Sequence, residues 1–216
     1  MDKKEIWKRI DHTLLKAAAS WEEIARLCDE AVTYGAASVC VPPSYAAPIS
    51  KAYGGKVTIC TVIGFPLGYQ TTRTKCEEAR EALESGAREL DMVINLGMVK
   101  NGDFGAAGDE IAALRELSGG RVLKVIVETC YLTREEKIEL CRRVTGAGAD
   151  YIKTSTGFGS AGAVLEDIRL FREHIGTGVK IKAAGGISTL EDMEAFINAG
   201  CERIGTSRGV SLLERP

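Results

Sequence analysis

Eight short apolar runs alternate with longer stretches of helical period along all 216 residues, and this alternation constrains the fold more than any other feature. The runs lie near 10–13, 37–41, 57–63, 89–94, 122–127, 150–154, 179–184 and 202–205. Amphipathic stretches fall between them, near 20–34, 43–53, 71–86, 104–117, 133–147, 162–175 and 188–199. Strand–helix alternation builds parallel βαβ units. Eight such strands in a chain this short predict an α/β protein, a minimal closed (β/α)8 TIM barrel with a short extra N-terminal helix. An open doubly wound sheet is the alternative. No linker, low-complexity tract or charge block divides the chain, so residues 1–216 read as a single domain.

A weak internal repeat favours closure. Gly35-Ala36, Gly86-Ala87, Gly148-Ala149 and Gly200-Cys201 each sit where a helix stops and a strand begins. Glycine suits the left-handed residue that ends a helix. Five residues on stand Cys40, Asp91, Lys153 and Gly205, on the second, fourth, sixth and eighth strands. Interior layers of a closed barrel draw on alternate strands in this way. Helix starts are legible too. Ser20 and Thr133 each precede an acidic first turn, and Asp2 with Glu5 suggests a capping box for the first helix.

Lysines at strand ends carry the chemical signal. Lys153 follows Tyr151-Ile152 and precedes Thr154-Ser155-Thr156-Gly157, and Lys182 precedes Ala183-Ala184-Gly185-Gly186. A lysine held beside a second positive charge loses proton affinity and can act as an amine nucleophile, so the pair points to Schiff-base chemistry. Lys180 shares the parity of Lys182, and the Gly-Gly step favours Lys182 as the one nearer the top of the barrel. Lys124 on the fifth strand reads as a buried structural cation, in parity with Ile126 and Glu128. Buried ammonium groups need partners. Asp91 is the expected one, either as a structural counter-ion or as a proton carrier.

Glycine-bearing loops follow the last three strands: Thr156-Gly157-Phe158-Gly159, Gly185-Gly186-Ile187-Ser188 and Gly205-Thr206-Ser207-Arg208. Backbone N–H groups in such loops can cradle a phosphate, and Arg208 adds a positive charge.

Other classes lack support. The formal charge of −2 gives no electrostatic case for nucleic acid or an anionic membrane. The N-terminus is charged from the outset, unlike a signal peptide, and the apolar stretch from Val57 to Leu67 is too short to span a bilayer. A cytoplasmic location is the expectation. Seven scattered cysteines form no Cys-x-x-Cys pair, and only His12 and His174 are present, which disfavours a metal site. Gly157-x-Gly159-x-x-Gly162 matches a dinucleotide fingerprint formally, yet no acid follows at the ribose-binding distance. Neither a nucleophile elbow nor a P-loop occurs.

The chain resembles the deoxyribose-phosphate aldolase family over nearly its whole length. The similarity runs through Ile10-Asp11-His12-Thr13-Leu14-Leu15, Val39-Cys40-Val41-Pro42-Pro43 and Val62-Ile63-Gly64-Phe65-Pro66-Leu67-Gly68. It continues through Leu90 to Asn95, Leu123 to Thr129 and Ile152 to Gly157, and ends with Lys182 to Ile187 and Arg203 to Ser207. The resemblance implies a class I aldolase without metal or other cofactor. Such an enzyme cleaves 2-deoxy-D-ribose 5-phosphate reversibly to D-glyceraldehyde 3-phosphate and acetaldehyde. It implies Lys153 as the Schiff-base lysine, Lys182 as the second lysine and Asp91 as the proton-relaying acid. Phosphate contacts carry over to Thr156, Gly157, Gly185, Gly186, Gly205 and Ser207. It further implies a small-molecule sugar-phosphate partner and a cytoplasmic homodimer or homotetramer.

Departures touch the phosphate clamp. Many relatives have a second serine where this chain has Arg208, and others have lysine in place of Phe158. Some relatives extend to a C-terminal tyrosine. This chain stops at Pro216, so proton transfer is expected to fall to Asp91 and water. A lysine aldolase for another sugar phosphate and a non-catalytic sugar-phosphate-binding barrel remain open.

Overall fold

The computed structural model describes residues 1–214; Pro216, to which the tyrosine expectation attaches, lies outside them. Among these residues the eight expected strands form: β1 (Ile10–Thr13), β2 (Ser38–Val41), β3 (Ile59–Ile63), β4 (Glu89–Val93), β5 (Val122–Ile126), β6 (Tyr151–Lys153), β7 (Lys180–Ala184) and β8 (Arg203–Thr206). Each pairs in parallel with the next, and β8 returns to β1 with Ile204 opposite Ile10 and Gly205 opposite Asp11. The sheet is a closed barrel, so the open alternative is set aside. No described helix is long and apolar enough to cross a membrane.

The short extra helix α1 (Lys3–Trp7) precedes β1. Then come α2 (Trp21–Tyr34), α3 (Ala46–Tyr53), α4 (Thr72–Glu84), α5 (Leu96–Lys100), α6 (Phe104–Leu117), α7 (Arg134–Gly146), α8 (Leu165–His174), α9 (Leu190–Ala199) and α10 (Gly209–Leu213). Local chemistry starts them. Ser20 with Glu23, and Thr133 with Glu136, form complete capping boxes at α2 and α7, and Thr189 with Asp192 forms another at α9. At α1 the expected box is not made. Asp2 accepts from the Lys4 N–H, but Glu5 is drawn off to Lys8 Nζ at 2.7 Å.

The four glycines of the repeat all adopt left-handed φ, at 74°, 103°, 71° and 111° for Gly35, Gly86, Gly148 and Gly200. Each helix therefore stops where the sequence placed the stop. The stretch expected from 162 becomes helical only at Leu165. Gly162 instead presses on the loop after β7, where an added Cβ would stand 2.3 Å from the Gly185 carbonyl carbon. The neighbouring Ala163 N–H donates to that carbonyl at 3.1 Å. The spacing that mimics a dinucleotide fingerprint thus serves loop-on-loop packing.

Between barrel and helices lies an ordinary aliphatic core, in which Val39, Leu90, Leu123, Ile152, Ile181 and Ile204 meet Ile24, Ile111, Leu140 and Phe171. The barrel interior differs. Bulky aliphatic residues normally fill it. Here one layer holds Ser38, Glu89, Tyr151 and Arg203 from the even strands, and the next holds Asp11, Cys60, Lys124 and Lys182 from the odd strands. A third holds Cys40, Asp91, Lys153 and Gly205, the positions of the repeat. Contacts run within the layers, with Arg203 over the Tyr151 ring and Lys124 to Cys60 Sγ at 3.2 Å, and between them, with Ser38 Oγ to Asp11 at 2.6 Å. Gly205 leaves room for Lys182, whose Cε would lie 3.1 Å from a Cβ there.

Candidate active site

Asp91 sits at the centre of this interior with no solvent exposure. Its Oδ1 accepts from Lys124 Nζ at 2.8 Å and from Cys60 Sγ at 3.2 Å. Its Oδ2 accepts from Lys153 Nζ and from Lys182 Nζ, each at 2.6 Å. The two lysine nitrogens are therefore at most 5.2 Å apart, twice that distance. The pairing expected for Asp91 is present. Of the two lysines on β7, Lys182 is buried and Lys180 is exposed, as the glycine step indicated.

The sequence reading missed three further members. Asp11 accepts from Lys182 and Arg203 and lies 3.3 Å from Lys124 Nζ. Glu89 pairs with Lys124 at 2.6 Å and with Arg203 at 3.0 Å. Four cations, Lys124, Lys153, Lys182 and Arg203, thus face three carboxylates, Asp11, Glu89 and Asp91. Release of one proton balances the cluster. Arginine does not supply it. Lys124 contacts three carboxylates and Lys182 two, whereas Lys153 contacts only a share of Asp91.

Burial disfavours the charged forms, yet the ion pairs outweigh it. The Lys182 ammonium is held above the ordinary lysine range by Asp11 and Asp91. The Asp91 carboxyl is held well below the carboxylate range by Lys124, Lys153 and Lys182, and the Asp11 carboxyl below it by Lys124, Lys182 and Arg203. The sign for stability follows. A carboxyl with a depressed folded pKa contributes stability above its unfolded value and loses that contribution as pH falls, beginning below about pH 5. Asp11→Asn is expected to cost about 3–5 kcal/mol at neutral pH, since it strips a partner from three buried cations. It should also flatten the acid limb of stability against pH. Urea denaturation across pH measures both.

Cys40, Cys60 and Asp91 approach closely enough to suggest metal ligands, as do Asp11, Cys60 and Glu89. Their carboxylates already carry the lysines, and Lys124 Nζ stands against Cys60 Sγ. A cation placed there would face an ammonium group. The donor set suits a charge network rather than a metal.

Above the cluster opens a cavity of about 320 Å³. Lys153 is the cluster member that lines it, as do all seven expected binding residues: Thr156, Gly157, Gly185, Gly186, Gly205, Ser207 and Arg208. Asp91 and Lys182 lie beneath. Lys16, unforeseen from sequence, adds a second basic side chain to the rim. The N–H groups of Gly157, Gly186 and Ser207 have no hydrogen-bond partner among the described residues. Thr156 is different. Its N–H and its hydroxyl both donate to Glu128. The cavity therefore joins an amine at its floor to unpaired N–H groups and cations at its rim, a layout for a carbonyl compound bearing an anionic tail.

Known proteins are similar to this chain in sequence and in fold. The sequence pattern of the DeoC/LacD family aldolases matches residues 4–213. The chain is 58% identical to a deoxyribose-phosphate aldolase of Clostridium botulinum (strain Alaska E43 / Type E3), over 99% of this chain and 97% of that one. It is 56% identical to the aldolase of the same name from Clostridioides difficile (strain 630), over 98% and 96% of the two chains. The fold matches a tetrameric structure of deoxyribose phosphate aldolase from Aeropyrum pernix with a TM-score of 0.93 at 34% identity, covering 99% and 91% of the chains. With the family pattern matched over residues 4–213 and identity above half over nearly the whole chain, the chain belongs to the DeoC/LacD family of aldolases.

Proposed function

We propose that this protein is a deoxyribose-phosphate aldolase, cleaving 2-deoxy-D-ribose 5-phosphate reversibly to D-glyceraldehyde 3-phosphate and acetaldehyde through a Schiff base on Lys153. One observation carries the assignment of the amine: Lys153 alone among the clustered lysines reaches the cavity, and it has the fewest carboxylate contacts. It is the amine that leaves the network with the fewest ion pairs broken.

The free amine attacks C1 of the open-chain sugar, and loss of water leaves a protonated imine. Carbon counting fixes the next bond. Acetaldehyde takes C1 and C2, so the C2–C3 bond breaks as the C3 hydroxyl loses its proton and the bonding pair flows into the iminium. Glyceraldehyde 3-phosphate departs, and an enamine of acetaldehyde remains. Protonation at C2 and hydrolysis of the imine release acetaldehyde and restore the lysine.

Asp91 in the free enzyme is an ionised counter-ion with both oxygens engaged. Once Lys153 turns toward the substrate, Oδ2 is left with Lys182 alone and can accept a proton through water. The phosphate is held at the rim by the free N–H groups of Gly157, Gly186 and Ser207. Gly185 and Gly205 admit the ligand, and Lys16 and Arg208 complement its charge. Binding so far from the scissile bond supplies orientation.

We assign the reaction to the cytoplasm as a homo-oligomer. Seven free cysteines fit a reducing compartment, and light scattering checks the assembly. Incubation with deoxyribose 5-phosphate should yield both aldehydes at equal rates, undiminished by a chelator. Turnover lost to the chelator and restored by a divalent metal would refute the amine mechanism. Tight substrate binding without products would favour a sensor.

A further inference from the structure

We propose that Glu128 is a positioning residue that shapes the loop after β6 into its anion-binding form and so sets the preference for a phosphorylated over an unphosphorylated sugar. The inference rests on the phosphate reading above. Glu128 lies just beyond β5, at φ 53° and ψ 67°. It is the one non-glycine residue with positive φ among the described residues, and it is 2% exposed. A left-handed residue with a side chain costs about 1–2 kcal/mol. Such strain persists where surrounding contacts enforce it, and it gathers at functional sites.

The side-chain hydrogen bonds of Glu128 all run to one residue of the cavity wall. The Thr156 N–H donates to the Glu128 carboxylate at 3.1 and 3.3 Å, and the Thr156 hydroxyl donates to Oε2. The Thr156 oxygen in turn accepts from the Phe158 N–H at 3.0 Å. On the far side the loop folds back over the same carboxylate. A Cβ on Gly159 would stand 3.1 Å from Glu128 Cδ and 2.9 Å from Cys130 Sγ. A single buried carboxylate therefore engages the N–H groups on either side of Gly157, one directly and one through a hydroxyl. The Gly157 N–H is left free, in a loop whose conformation is fixed before any ligand arrives. Glu128 itself does not line the cavity and acts through Thr156.

Glu128→Gln keeps the shape but replaces one acceptor oxygen with an NH2 group, so whichever way the amide turns a donor faces either the Thr156 N–H or its hydroxyl. It is expected to raise KM for deoxyribose 5-phosphate about tenfold or more, the order of effect that a displaced binding group produces. Inhibition by inorganic phosphate should weaken in parallel, and kcat/KM for unphosphorylated deoxyribose should be unchanged. Glu128→Asp keeps the charge and tolerates left-handed backbone, but it withdraws the carboxylate from Thr156. The same selective loss is expected. Equal losses on both sugars, undiminished discrimination, or a failure of both variants to fold would each overturn the proposal. A wild-type enzyme with no preference for the phosphorylated sugar would remove the phosphate reading itself, and this inference with it.

Discussion

Lys153→Met is expected to lower kcat by a factor of about 10⁴ or more while leaving the protein at least as stable as before. The kinetic half follows from covalent catalysis, in which loss of the nucleophile removes the whole route rather than one contact. The stability half follows from the charge count. With every group ionised, the interior holds one cation more than it holds carboxylates. Removing the lysine with the fewest ion pairs balances the cluster, and methionine fills the vacated volume. Asp91 loses one of three lysine partners and keeps Lys124 and Lys182. Steady-state kinetics and thermal unfolding check the two halves separately. A strongly destabilised Lys153→Met protein would mean that the ammonium form is integral to the fold, and the charge argument would fail.

Lys182→Met is expected to move the pH optimum of kcat/KM upward by about 1–2 units, the size of effect one neighbouring charge exerts. Lys182 shares Asp91 Oδ2 with Lys153. It remains charged throughout the assay range because Asp11 and Asp91, against the opposing effect of burial, hold its ammonium above the ordinary lysine range. Its loss removes a repelling cation and leaves Oδ2 to Lys153 alone. The charge count then balances with Lys153 protonated, so the free amine forms only at higher pH. Activity near neutrality should fall while activity in alkaline buffer is partly recovered. A uniform loss at every pH would show that Lys182 acts on something other than the charge state of its neighbour.

The legible parts of this molecule were those governed by local rules. Strand and helix periods, the caps at Ser20 and Thr133, and the glycine stops each depend on residues close in sequence. The partnership of Asp91 with the lysines was also legible, because strand parity places all of them on one face. Asp11, Glu89 and Arg203 were not. Each stands near the start of a strand, where a charge ordinarily reads as a solvated end. Only barrel closure, which sets Asp11 on β1 opposite Gly205 on β8, turns them inward together. Glu128 was expected to share the inward face of Lys124 and Ile126. Its left-handed backbone breaks that alternation and sends the side chain to Thr156 instead. Thr156 was read as a phosphate contact from a motif, and the motif does not show that a distant carboxylate has taken both of its donors. Helices α5 and α10 escaped notice because a five-residue helix has too few turns to display a period.

The most direct measurement is reductive trapping. Wild-type protein treated with acetaldehyde and borohydride should acquire one ethyl group per chain, mapped by peptide mass spectrometry to Lys153, and Lys153→Met should acquire none. An adduct on Lys124 or Lys182 instead, or full turnover with no trappable adduct, would contradict the account.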